Sequence, residues 1–454
     1  MFKRLLIKNK KLLLMRRLII FFLGLMLISQ GFAQENEFTL GGQIRSRAED
    51  RHGAFFPLGG EGDEREPSFF INERARLSME YKRDKISMGI SAQHVGVWGQ
   101  DPQVDMVGDR FMLNEAWASL RSANGLFLKF GRQSLVYDDE RILGGLDWHV
   151  SGRFHDALKM GFENSQNKFH VVLAFNQLGE RNNNSLANSG TYYPLADQGT
   201  AQPYKTMQTL WYQYIANKTF NASFLMMNLG LQAAPTDTED ASVKFNQTFG
   251  TNLTFAPGSF KLLGTFYLQT GERRVQTSDQ TIAAFMWALN ASYAVNPKLS
   301  FMAATDYLSG NDGKDPEKYK AFNVLYGTHH KFYGTMDYFY ASPFLGGANP
   351  GLWDKQLGIS CKPAPVITLA LNYHHFSTTT DVLKGEEKLK RSMGSEWDFQ
   401  FTWNAMKDVT LMGGYSSFFG NDTMKALKGG DLSQWQGWAW VSLNINPKLL
   451  ITKW

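Results

Sequence analysis

The most regular feature of the chain is a two-residue alternation of apolar and polar positions. From Trp397 to Asn404 every odd position is aromatic and every even one polar, and from Ile367 to His374 the odd set is apolar and the even set small or polar. The same alternation runs through Phe249–Ala256 and Ala439–Ile445, and more loosely through Phe260–Thr270. Period two marks strands with one face on an apolar surrounding and the other on water. The segments come in pairs joined by short links at 82–84, 122–125, 256–259, 296–297, 362–365 and 407–408. Long polar stretches such as 178–207, 232–245 and 377–395 separate the pairs. Tight turns alternating with long loops predict an all-β protein: a single transmembrane antiparallel β-barrel with short periplasmic turns and long extracellular loops.

Strands are expected near 38–47, 69–81, 85–97, 111–121, 125–134, 154–163, 168–177, 208–217, 221–231, 246–256, 260–270, 282–294, 298–308, 353–362, 366–376, 395–404, 408–418 and 435–445. That is about 18, an even number that leaves both chain ends on the periplasmic side. The segment 309–352 is then one long loop. A strand formed by His329–Tyr340 would break the parity, so this piece is read as folding over or into the pore. A soluble β-sandwich or propeller would also alternate, but aromatics near the strand ends and the lack of a blade-length repeat favour the barrel.

The first 33 residues stand apart. Arg16 and Arg17 precede an apolar run from Leu18 to Ile28 and a small-x-small ending, Gly31-Phe32-Ala33, as in a secretory signal peptide. The run is too short to cross a bilayer as a helix, and the basic stretch before Met15 is an extended leader or an early start. The barrel is therefore expected over 34–454, in the outer membrane of a Gram-negative-type envelope. The whole chain carries 47 Lys and Arg against 42 acids; taking away the seven bases of this acid-free leader leaves 40 against 42. The basic sequence pI is then no sign of a nucleic-acid partner. Cys361 is the only cysteine, so no intramolecular disulfide holds the fold.

The polar set of a barrel strand faces the lumen, where function resides. In the first strand this set contains Gln43, Arg45 and Arg47, and in the second Asn72, Arg74, Arg76 and Ser78. The two strands are neighbours, so four arginines meet on one wall. Glu73 falls on the lipid-facing set, yet a one-residue slip would expose Arg74 and Arg76 instead, at about 2–4 kcal/mol each near the midplane. A local bulge or a position level with the headgroups would accommodate it. Two readings of the wall stand side by side: charge balance with Glu115, Glu80 and loop acids, or an anion pathway through Arg45, Arg47, Arg74, Arg76, Lys129, Arg153 and Lys159.

Other chemistry has little support. The pairs His329-His330 and His374-His375 offer one imidazole per face on a strand. Asp138-Asp139-Glu140 could hold Ca²⁺, but lacks the spaced ligands and turn glycine of a calcium loop, and no metal site or cofactor is expected. Ser151-Gly152 has no nucleophile-elbow frame, and Gly144-Gly145 no phosphate-loop continuation.

The order Gly131-Arg132-Gln133, an acidic patch with Arg141, Gly144-Gly145-Leu146-Asp147-Trp148, Gly152-Arg153 and Asp156-Ala157 resembles the alginate-export family of outer-membrane β-barrel porins. Leu113-Asn114-Glu115-Ala116-Trp117, His330-Lys331-Phe332-Tyr333-Gly334, Asp337-Tyr338-Phe339 and Gly351-Leu352 extend the likeness over about 70–376. The resemblance implies an 18-stranded barrel with an arginine-rich constriction and passive passage of an anionic or sugar-like solute, a polyuronate or other polysaccharide. It implies Arg74, Arg76, Arg132 and Arg153 at the constriction, with Glu115 and Asp147 as charge partners. The 135–153 loop is expected to join its strands outside, its glycines letting it bend inward, with Arg153 facing the pore and Asp138, Asp139, Glu140 and Asp147 holding cations or arginines. Expected partners are outer-membrane lipid and the solute, with export or uptake partners in the periplasm unidentified. The alternatives are a porin unrelated to polysaccharide, and a closed barrel serving as enzyme or surface scaffold.

Overall fold

The computed structural model of the chain describes residues 36–59, 65–101, 103, 110–176, 204–232, 243–275, 278–347 and 349–454, so the expected leader lies outside the described residues. Eighteen antiparallel strands close into a barrel. In chain order they are β1 (Glu37–His52), β2 (Ser68–Arg83), β3 (Ile86–Val97), β4 (Phe111–Arg121), β5 (Leu126–Gln133) and β6 (His155–Glu163). Next come β7 (Asn167–Phe175), β8 (Thr206–Ile215), β9 (Phe220–Gln232), β10 (Val243–Phe255), β11 (Phe260–Val275) and β12 (Ser278–Asn296). The set ends with β13 (Leu299–Leu308), β14 (Leu352–Ala364), β15 (Ile367–Ser377), β16 (Ser392–Met406), β17 (Val409–Gly420) and β18 (Gln436–Ile445). Each strand pairs with the next, and β1 pairs with β18 to close the ring. Beyond β18 the chain breaks at Pro447, which has no N–H to donate, and resumes along β1 as Lys448–Lys453 with a register shift between Leu40 and Gly41.

The alternation decides which face meets lipid. Ile44, Leu77, Ile90, Leu253, Phe266, Leu289, Phe301, Leu357, Phe399 and Leu443 are exposed on the outside of the barrel, where they form the apolar band that a bilayer covers. Many strands run beyond the expected ends; β1 reaches His52 and β11 reaches Val275. Their outer ends are polar, so hydrophobic periodicity stops marking them before the pairing stops. The register sets Gln43 opposite Arg76, Arg45 opposite Arg74 and Arg47 opposite Asn72, so the expected wall is assembled. Glu73 stays on the outer face with no bulge. It accepts the Trp98 indole N–H at 2.8 Å and the Ser46 hydroxyl at 3.4 Å, near the extracellular end of β2.

The buried apolar core lies inside the barrel. Leu135, Tyr137, Ile142 and Leu143 from the β5–β6 connection pack with Phe322, Val324, Leu325, Tyr326, Tyr333, Met336, Tyr338 and Phe339 from the 309–351 segment. These side chains belong to no alternating strand, and burying them draws both segments into the lumen. The two loops are stitched together: Tyr326 N–H donates to Ile142 at 3.0 Å, Gly144 N–H to Tyr326 at 2.9 Å and Thr328 N–H to Glu140 at 2.9 Å. A Cβ on Gly327 would sit 2.3 Å from the Arg141 carbonyl, so this approach requires glycine. His329–Tyr340 forms no strand, only a short 3₁₀ turn at His329–Lys331. The β5–β6 connection thus does more than join strands outside the membrane; it folds back within the ring. A short helix, α1 (Asp422–Lys428), capped by the Asn421 side chain, lies between β17 and β18.

Candidate functional site

The infolded β5–β6 loop rests on the arginine wall. Arg74, buried at its tip, reaches Asp147 Oδ1 at 2.9 Å and the Val150 carbonyl at 3.3 Å. Arg45 donates to Asp147 Oδ2 at 3.3 Å and to the carbonyls of Asp147 and His149 at 2.7 and 3.1 Å. Arg47 donates to the Trp148 carbonyl at 2.8 Å, stacks over its indole at 3.9 Å and pairs with Glu49 at 2.8 Å. Glu49, fully buried, also holds Arg51 at 2.6 Å. Arg76 forks onto Gln93 at 2.8 and 2.6 Å, and Gln93 in turn donates to the Ser151 carbonyl at 2.8 Å. The four guanidinium groups that alternation brings together therefore pin a loop, and Asp147 is the charge partner of two of them.

The remaining candidates divide. Arg153 donates to the Tyr326 and Gly327 carbonyls, bridging the two loops inside the barrel. Burial lowers its pKa to about 10, so it stays cationic at neutral pH. Lys129 and Lys159 face inward as direct cross-strand neighbours. Arg132 corrects an expectation: it lies three residues from Lys129, on the opposite, outer face with the exposed Phe130. There it pairs with Asp156 at 2.9 and 3.0 Å and stacks on Phe154 at 4.0 Å. Glu115 accepts the Ser134 N–H at 3.0 Å and the Trp117 indole N–H at 3.2 Å, but makes no ion pair with the arginines.

The acidic triplet splits among separate partners, against the Ca²⁺ alternative. Asp138 takes the Trp211 indole at 3.1 Å and the Ser223 hydroxyl at 2.5 Å, where a cation or an arginine was expected. Burial pushes its carboxyl up, against those two hydrogen bonds. Asp139 pairs with Arg141 at 2.8 Å. Glu140 pairs with Lys331 at 3.2 Å and accepts from Thr328 at 3.0 Å. Burial raises the Glu140 carboxyl, but Lys331, Thr328 and the Gly145 N–H outweigh it and hold the group below the usual range. Among the described residues no group of three or more His, Cys, Asp or Glu could hold a metal ion.

The opposite wall fastens the other loop. Arg141 reaches from the β5–β6 loop to Asp306 at 2.8 Å, and its other amine donates to the Tyr333 hydroxyl at 3.2 Å. His374 meets Asp354 at 2.9 Å and Asp398 at 3.4 Å through its two ring nitrogens, while Asp398 accepts from Thr335 at 2.5 Å and Glu396 from Met336 N–H at 2.9 Å. A cavity of about 710 Å³ opens between this wall and the loops, lined by Asp138, Asp139, Arg141, Lys331 and a run of amides that includes Asn290, Asn372 and Gln400. The arginines of β1 and β2 do not line it. Glu49, Arg141, Asp306, Asp354, Glu396 and Asp398 were not among the sequence candidates. Alternation alone could have found Asp398, which shares the polar set of β16 with Gln400.

A family model described as alginate export matches residues 37–436. Comparison with curated proteins found no match. Among solved structures, OccAB4 of Acinetobacter baumannii superposes with a TM-score of 0.60 at 12% identity, covering 93% of this chain and 99% of its own. The BenF-like porin of Pseudomonas fluorescens Pf-5 gives 0.58 at 11% identity, covering 92% and 100%. OccK5 (OpdH) of Pseudomonas aeruginosa gives 0.57 at 10% identity, covering 92% and 99%. At these identities what is shared is the fold of an outer-membrane porin.

Proposed function

The chain belongs to the alginate-export family, and from that premise we propose that it is a passive, anion-preferring channel of the outer membrane for carboxylate-bearing or other sugar-like solutes, without enzymatic activity. One observation carries this reading: the charge on the β1–β6 side of the lumen is unbalanced. Arg45, Arg47, Arg51, Arg74, Arg76, Lys82, Arg121, Lys129, Arg153 and Lys159 outnumber Glu49, Glu80, Glu115, Asp147 and Glu163 there. Even arginines whose forks are filled by carbonyls keep their charge, and low-dielectric walls focus its field. An anion is drawn in by that potential and held only weakly, which lets it leave.

Catalysis finds no support in the loop. His149 Nδ1 lies 2.8 Å from Ser151 Oγ, but it also accepts the Ser151 N–H at 3.3 Å, a local turn contact with no carboxylate to orient the ring. The infolded core favours one second reading, a barrel too filled to conduct, acting as a surface scaffold. Liposomes carrying the protein should swell in uronate oligomers under the channel reading and stay flat under the scaffold reading. In planar bilayers under a salt gradient the reversal potential should show chloride preferred over potassium, and Arg74→Ala with Arg76→Ala should reduce that preference. Cation selectivity, or a preference unmoved by the double variant, would overturn the proposal.

A further inference from the structure

We infer that Lys129 and Lys159 form a subsite for a doubly charged oxyanion, a phosphate or sulfate group, on the inner face of β5 and β6. This inference rests on the channel reading above and assigns it a specific point of contact. The two lysines are directly opposite one another in the β5–β6 ladder. Like charges directly opposite one another destabilise a sheet. Here Glu115 and Glu80 act on Lys129, and Glu163 on Lys159, only from a distance, and no described carboxylate forms an ion pair with either lysine. Glu115 is committed to Ser134 and Trp117, Glu163 to Arg121 and His170, and Glu80 to Lys82.

What the lysines touch instead is aromatic. Lys129 Nζ sits 3.6 Å over the Trp117 ring, and Lys159 Nζ lies 5.2 Å from the Tyr137 centroid and 5.8 Å from that of Phe127. A ring face attracts an ammonium but accepts no conventional hydrogen bond from its N–H groups. Each ammonium has three donors, and neither lysine makes a hydrogen bond or ion pair among the described residues. The Trp117 platform is built in: its indole is tethered to Glu115, and a Cβ on its cross-strand neighbour Gly89 would come 2.5 Å from the ring. Both lysines are half-buried, so they are reachable from the lumen. By contrast Arg45, Arg47, Arg74 and Arg76 are each held by the loop or by Glu49 and Gln93. Two lysines opposed in the ladder and without an ion pair suit an anion with two charges better than a lone carboxylate.

The test is block of chloride current through the intact barrel in planar bilayers, using inorganic phosphate, sulfate, glucose 6-phosphate and acetate as probes. The dianions should block about tenfold more tightly than acetate, the gain of a second charge at contact distance. Glucose 6-phosphate matching or exceeding inorganic phosphate identifies a sugar-borne group as the natural source, and the reverse order identifies the free ion. Lys129→Met with Lys159→Met should abolish the difference between dianions and acetate, and should lower chloride preference by less than Arg74→Ala with Arg76→Ala does. Lys129→Arg with Lys159→Arg should retain it, which separates charge from fold. Equal block by phosphate and acetate in the wild type, or a difference that survives the methionine pair, would sink the subsite and leave the channel reading standing. A wild type that prefers cations would instead remove the channel reading itself.

Discussion

Asp147 shows how much one side chain decides. Among the described residues it is the only carboxylate contacting Arg74, whose side chain is 1% exposed, and it also reaches Arg45. Removing one partner from a charged hydrogen bond costs about 1–3 kcal/mol, and the low end applies because Asp147 itself is 69% exposed and screened. Asp147→Asn should therefore loosen the loop without unfolding the barrel. Single-channel recordings should show added flicker and substates at unchanged heat resistance; a quiet channel would refute the pinning role. At this scale the sequence is partly legible. The register of Arg45, Arg47, Arg74 and Arg76 follows from alternation, because a slip would put arginines in lipid. Arg132 was misplaced because a motif likeness outweighed the parity that Phe127, Lys129 and Gly131 already declare on the same strand.

Among the elements, strands could be read and the infolded segments could not, for a physical reason. A strand between lipid and water must alternate, whereas a loop that buries itself among other loops follows no period. The bridges that fix those loops, such as Arg141 to Asp306 or Lys331 to Glu140, join residues far apart in sequence. Helix α1 adds a smaller case. Its last residue, Lys428, is buried and donates to the Ser342 carbonyl and hydroxyl at 2.9 Å and to the Pro343 carbonyl at 2.7 Å, with no acid paired to it among the described residues. Burial holds its amine well below the ordinary lysine range. A depressed folded value means the helix contact is strongest above the unfolded lysine value, about 10.4, and weakens as pH falls through the folded one. A nitroxide at position 425 (K425C in a C361S background) should lose mobility as pH rises, and Lys428→Met should flatten that dependence. Identical profiles with and without Lys428 would exclude it as the titrating group.

For the molecule as a whole, the notable fact is that its apolar core is the filling of its own lumen. Eighteen strands of this kind enclose an aqueous channel when nothing occupies it, so the passage left here is set by the two loops. Deleting 321–344 should raise unit conductance several-fold and weaken ion preference, since solute would then pass far from the charged wall. Unchanged conductance would place the permeation path elsewhere.

The indole of Trp148 has a last consequence, for assembly. It lies between Arg47 at 3.9 Å and the stacked His330 ring, also at 3.9 Å, and its edge meets Trp438 and Trp440 of β18. Arg47 and those tryptophans stand on either side of the seam where the first and last strands join. The node is complete only once the ring has shut, so the event that seals the barrel also finishes its bore, and a partly zipped precursor is never a smaller version of the same filter.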